Sequence, residues 1–278
     1  MLSKLFTLIL TFSLFQNSTS LISKTTPNVI EIEKSDYGLI FTNITVNGQK
    51  IKAMIDFGDP NVIQLSSTLV KDQNISVIKT KAIAKDIYGN SFEINRGTAK
   101  EIIIGQWKEN NIEFSSSPGE MEGVAKQINS DFKAVIGWGY FSKYYTVINY
   151  GTNKFELFEQ KSSIQNEFLK TPYKKNSNYL SVPVTIQNQN VNLIIDTGSP
   201  VSVIDSTFYK DLDTDNFNMK IGTKNVTLKM VSQDLSVLKQ LNAVGIIGGD
   251  FIGKYKIHID PFEHELTFEN ISVVKKEK

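Results

Sequence analysis

The chain has 278 residues, long enough to bury one substantial core or two smaller ones. Its composition, 40% hydrophobic and 21% charged, excludes both a multispan membrane protein and a disordered chain. Thirty Lys and Arg balance 29 Asp and Glu with no polybasic block, so nucleic acid is not expected as a partner. The absence of cysteine removes disulfides, thiol nucleophiles and thiolate zinc sites. The only histidines, His258 and His264, read as ordinary surface or strand residues, too few for a histidine-rich metal site. Neither a metal nor a cofactor is expected.

In chain order, residues 1–20 have the pattern of a secretory signal. Lys4 is a short positive region, Leu5 to Phe15 an apolar stretch, and Ser18-Thr19-Ser20 a small-residue cleavage site. The apolar run is too short to span a bilayer, so a secreted or periplasmic protein with no stable membrane span after signal removal is expected. Ser23 to Glu33 is a tail or an extra strand. Phe41 to Val46, the turn Asn47-Gly48 and Ile51 to Ile55 predict a β-hairpin. Further strands are predicted over Val77 to Ala84, Phe92 to Ile94, Glu101 to Ile104 and Trp107 to Phe114. Short helices fit Ser66 to Asp72 and Ser206 to Lys210. Long helical periods are absent, which predicts an all-β class.

The chain also repeats itself. Asn47 to Pro60 aligns without a gap on Gln187 to Pro200, each copy reading turn, apolar strand, Asp-x-Gly-x-Pro. Ala134-Val135-Ile136-Gly137 and Gly245-Ile246-Ile247-Gly248 form a second repeated pair, each trailed by two alternating strands. Two lobes follow, over residues 30–160 and 178–274, joined by a polar connector around Gln160 to Asn178. One Asp-x-Gly is an ordinary turn. Two of them, each after an apolar strand and each answered by an apolar-apolar-Gly segment, point to a duplicated site.

Asp196-Thr197-Gly198-Ser199, with Ile247-Gly248 downstream and Ile136-Gly137 in the first half, resembles the aspartic protease superfamily, pepsin-like and retroviral-type. The short lobes are most similar to two retroviral-type units fused in one chain. The resemblance implies a two-lobed β-barrel fold with internal pseudo-two-fold duplication, a cleft between the lobes and a peptide or protein substrate. It implies Asp56 and Asp196 as catalytic residues. Phe57, Gly58, Asp59, Thr197, Gly198 and Ser199 would form the active-site loops, and Ile136, Gly137, Ile247 and Gly248 the strands packed across them. From Asp56 to Gly137 is 81 residues and from Asp196 to Gly248 is 52. The surplus falls where these proteases carry a flap, which assigns Tyr88 and Gly89 to a flap tip; Asn216 to Met230, in the matching place of the second lobe, is too short for another. With both aspartates in one chain, a monomer suffices.

Chemically, two carboxylates about 3 Å apart share a proton, so one can activate water while the other polarises a carbonyl. An aspartic-type endopeptidase is therefore expected. The alternative is a catalytically inactive module of the same shape that binds peptides or exported proteins. Departures from the family pattern cluster in the first lobe. Phe57 stands where a Thr or Ser hydroxyl usually interlocks the lobes. Asp59 replaces a Ser or Ala and either faces outward to cap its turn or adds a third carboxylate inside. Trp138-Gly139 replaces a small-polar continuation.

Overall fold

The computed structural model describes residues 26–85, 90–164, 166–174, 178–209 and 217–271. Residues 1–20, read above as a signal, and Tyr88 and Gly89, read as a flap tip, lie outside them. Strands hold 52% of residues and helices 12%, so the class is all-β.

The chain opens with β1 (Asn28–Glu31) and β2 (Glu33–Lys34), which makes a strand of the segment before the first lobe. The hairpin of β3 (Ile40–Val46) and β4 (Gln49–Asp56) follows, its turn made by Asn47 and Gly48 at φ 48° and 84°. Such double positive-φ turns match the twist of paired strands. Next come β5 (Ile63–Leu65) and α1 (Ser67–Asp72), whose N-cap Ser66 accepts from the Leu69 N–H. Then come β6 (Val77–Lys85), β7 (Ser91–Ile104), β8 (Trp107–Ser116), α2 (Glu120–Gln127) and β9 (Ala134–Gly137). The two strands expected over 92–94 and 101–104 are one continuous β7. Six strands close a barrel in the circuit β3-β4-β9-β5-β8-β7 and back to β3, with β2 and β6 as outliers. After α3 (Trp138–Phe141) the lobe ends in β10 (Tyr145–Asn149) and β11 (Lys154–Phe158).

The second lobe repeats this path. It contains β12 (Glu167–Pro172), β13 (Ser181–Ile186), β14 (Gln189–Ile195), β15 (Val203–Asp205), β16 (Phe217–Ile221), β17 (Lys224–Leu228) and β18 (Val231–Gln233). A 3-10 helix over Ser236–Leu241, β19 (Gly245–Ile247), α4 (Gly249–Ile252), β20 (Tyr255–Asp260) and β21 (Glu265–Asn270) complete it. Gln187 and Asn188 form the hairpin turn with the same positive φ as Asn47 and Gly48. The register copies the first lobe: Val184 opposite Ile221 stands for Ile44 opposite Ile104, and Ile204 opposite Ser232 for Gln64 opposite Ser115. By this register β17 and β18 together replace β8, interrupted at Lys229-Met230, and the second barrel stays half open there. The β16–β17 hairpin therefore matches the β7–β8 hairpin, not a flap. Ser206 to Tyr209, expected to start a helix, is a turn held by Asp205, whose carboxylate accepts from the Thr207 N–H and hydroxyl.

A third sheet joins the lobes, in the palindromic order β1-β11-β10-β20-β21-β12. At its centre β10 and β20 pair antiparallel, Thr146 opposite Ile259 and Ile148 opposite Ile257. The segment read as a connector thus contributes β12 to the structure. Ile148, Phe155, Ile257 and Ile259 belong to a core continuous through both lobes. Burial of each is worth roughly 1.5–3 kcal/mol. His258 is a buried strand residue of this sheet, its ring between the Tyr145 hydroxyl at 3.0 Å and Glu269 Oε2 at 2.8 Å. No helix among the described residues is long and apolar enough to cross a membrane.

Candidate active site

Two equivalent loops meet where the lobes join. Asp56 ends β4, which runs parallel to β9 so that Ile55 lies opposite Ile136 and Asp56 opposite Gly137. Asp196 follows β14, which runs parallel to β19 with Ile195 opposite Ile247. The Asp196 N–H donates to the Ile247 carbonyl at 3.0 Å. Beyond β9 and β19 the chain passes across the aspartate loop of its own lobe. The Trp138 N–H donates to the Asp59 carbonyl at 2.7 Å, and the Gly249 N–H to the Ser199 carbonyl at 2.8 Å. A Cβ on Gly137 would lie 2.2 Å from the Asn61 carbonyl oxygen, and one on Gly248 2.4 Å from that of Val201, so each strand end packs closely on the loop of its own lobe.

The carboxyls of Asp56 and Asp196 are within hydrogen-bonding reach of each other across the seam. The Gly58 N–H donates to Asp56 Oδ1 at 2.7 Å and also lies 3.2 Å from Asp196 Oδ1; the Gly198 N–H donates to Asp196 Oδ1 at 2.7 Å. Each glycine faces the opposite aspartate: a Cβ on Gly198 would lie 2.5 Å from Asp56 Cγ, and one on Gly58 2.7 Å from Asp196 Oδ2. The approach of the carboxyls thus depends on a missing side chain in each loop. Both aspartates keep part of their surface open to solvent. Burial of the rest, then the Asp196 charge and that of Asp59, hold Asp56 well above the usual carboxylate range. Asp196 is raised as well, chiefly by burial. Such a pair holds one proton between its members, and neither alone owns it.

The interlock between lobes is one-sided. Thr197 is buried and its hydroxyl accepts from the Phe57 N–H and donates to the Ile55 carbonyl, both at 3.0 Å. Phe57 offers no hydroxyl in return. Its ring is fully buried among Trp138, Phe141 and Phe155, with centroids 5.4, 5.0 and 6.2 Å away. The two bulky departures of the first lobe, Phe57 and Trp138, are therefore packing partners, where the second lobe sets Thr197 and Gly249. The Phe57 ring packs within its own lobe, so of this pair only Thr197 extends a side-chain hydrogen bond across the seam.

Asp59 is both turn cap and third carboxyl. It is buried, and Oδ1 accepts from the Asn61 N–H at 2.9 Å and the Asn61 side-chain amide at 2.6 Å, while Oδ2 has no hydrogen-bond partner. Burial pushes its pKa up to about 6, against the two Asn61 hydrogen bonds and with help from Glu120 and Asp196. Ser199, which could have supported a catalytic carboxylate, donates to the Val201 carbonyl at 2.7 Å instead.

Two tyrosines escaped the sequence reading. Burial and the charge of Asp196 raise the Tyr150 phenol, and burial with Asp59 and Asp56 raises that of Tyr179. Both phenols are therefore neutral and lie within electrostatic reach of the carboxyls. No local motif marks either one, since only folding brings β10 and the start of β13 to the seam. The β6–β7 hairpin is paired as far as Lys85 opposite Ser91; Tyr88 and Gly89, read as a flap tip, fall between those ends and outside the described residues. Among the described residues no cluster of three or more metal-ligating side chains occurs.

No family model matches the chain, and no curated protein matches it.

Proposed function

We propose that the protein is an aspartic-type endopeptidase that hydrolyses peptide bonds with water activated by Asp56 and Asp196. The observation that carries this reading is the pair of partly open carboxyls facing each other across a pseudo-two-fold seam, held by Gly58 and Gly198. In the one-proton state the ionised member accepts a proton from water as it attacks the scissile carbonyl. The protonated member hydrogen-bonds the carbonyl oxygen and passes its proton to it, which gives the neutral gem-diol and leaves one proton on the pair. Proton return to the amide nitrogen allows the C–N bond to break. No covalent adduct is required. The β6–β7 hairpin is the candidate cover of the cleft, and an acid rate optimum follows from a dyad that must keep one proton.

The test is cleavage of a mixed peptide library by the mature protein between pH 3 and 7, beside Asp196→Asn. Cleavage by the wild type alone supports the assignment. Equal cleavage by both proteins places the chemistry elsewhere. No cleavage by either, with retained binding of peptides, identifies the silent binding module instead.

A further inference from the structure

Away from the carboxyl pair, exposed apolar surface collects on one strand of the hairpin assigned as its cover. β6 carries Val77, Ile78 and Ile83, which are 36%, 76% and 64% exposed and account for three of the eight large exposed hydrophobics among the described residues. It is the terminal strand of its sheet, paired on one side with β7 and on the other with nothing among the described residues. Its sequence, Val-Ile-Lys-Thr-Lys-Ala-Ile-Ala-Lys, has three lysines and no acid in a chain that is otherwise balanced. Lys79 and Lys81 are exposed and make no ion pair among the described residues. The strand is bulged between Lys79 and Ile83, where Thr80 Oγ1 donates to the Ile94 carbonyl at 2.6 Å and accepts from the Ala82 N–H at 3.1 Å.

From this arrangement we propose that the free edge of β6 is a docking strand for an extended segment of a partner protein that alternates acidic and apolar residues. An open edge is a row of unpaired backbone donors and acceptors, and an added strand satisfies them while the side chains select the sequence. Acidic residues on the partner match Lys79 and Lys81 on one face of the strand, and its apolar residues cover Ile78 on the other. Charge decides against a second copy of this chain, because two β6 edges would bring lysine against lysine. An anionic membrane surface would meet the lysines but would leave the backbone groups of the edge unpaired. The proposal does not depend on the peptidase reading, since the edge is separate from the carboxyl pair.

The test uses two blocked, fluorescein-labelled peptides of about nine residues, one alternating Glu and Val and the other Lys and Val. Fluorescence anisotropy is read with the full mature chain carrying Asp196→Asn, which removes any cleavage. The acidic peptide is expected to bind saturably at low salt. The double variant Lys79→Glu/Lys81→Glu should bind it about tenfold more weakly and prefer the lysine peptide. Hydrogen exchange of the Val77 to Ala84 amides should slow on binding. Charge reversal without effect, protection confined to the loops around Asp56 and Asp196, or binding of anionic vesicles in place of the acidic peptide would each overturn it.

Discussion

A Cβ at residue 198 would fall 2.5 Å from Asp56 Cγ, so Gly198→Ala must push the aspartates apart. Peptide cleavage should drop by at least about a hundredfold, the scale of losing a preorganised catalytic contact. Circular dichroism would check that the fold is retained. Asp59 makes a pH prediction with a definite sign. Its pKa is raised from 3.8 to about 6, so between those values the folded state holds a proton that the unfolded chain has released. Through that window the group lowers stability as pH rises, by on the order of 3 kcal/mol at most. Asp59→Asn should flatten this part of the pH dependence of urea denaturation. It should also lower the upper pH limit of cleavage, because the Asp59 charge contributes to holding Asp56 protonated.

At the scale of elements, the two aspartate loops are built alike and secured differently. The hydroxyl of Thr197 satisfies a buried N–H and a buried carbonyl of the other lobe, so Thr197→Val leaves both unpaired, at about 1–3 kcal/mol each. Phe57→Ala opens a cavity beside Trp138, Phe141 and Phe155, for an expected loss of about 3–5 kcal/mol measured by thermal or urea unfolding. The departures at Phe57 and Trp138 were visible in the chain, but their compensation was not. Residues 57 and 138 are distant in sequence, and their contact exists only once β9 lies beside β4. The β3–β4 hairpin was legible because its turn and alternation are local. Of the helix expected over Ser206 to Lys210 the described residues show one turn, begun where the Asp205 carboxylate accepts from the Thr207 N–H and the Asp205 carbonyl from those of Phe208 and Tyr209; Lys210 lies outside them.

For the whole molecule, the six-stranded sheet is what makes two lobes into one body. His258 sits at its seam, where burial lowers its basicity against the pull of Glu269. With a depressed folded value, the stability it contributes is present above the ordinary histidine range, near 6.5, and is lost as pH falls below it. His258→Gln should therefore reduce the loss of stability on acidification from pH 7 to 5, the opposite slope to that of Asp59. Urea midpoints across that range for both variants separate the two effects.

The duplication, the all-β class and the residues of the paired loops were determined by the sequence alone, because alternation, turn residues and repeated motifs are local properties that survive without a fold. Tertiary structure decided everything that depends on chains meeting. It turned the segment before residue 34 and the polar connector into strands of a shared sheet, placed Asp59 inside its turn and brought Tyr150 and Tyr179 toward the carboxyls. It also matched the second-lobe hairpin to β7–β8. The reason is the same in each case: strand partners and buried neighbours are chosen by which apolar faces close against each other, and no window of sequence contains both sides of that contact.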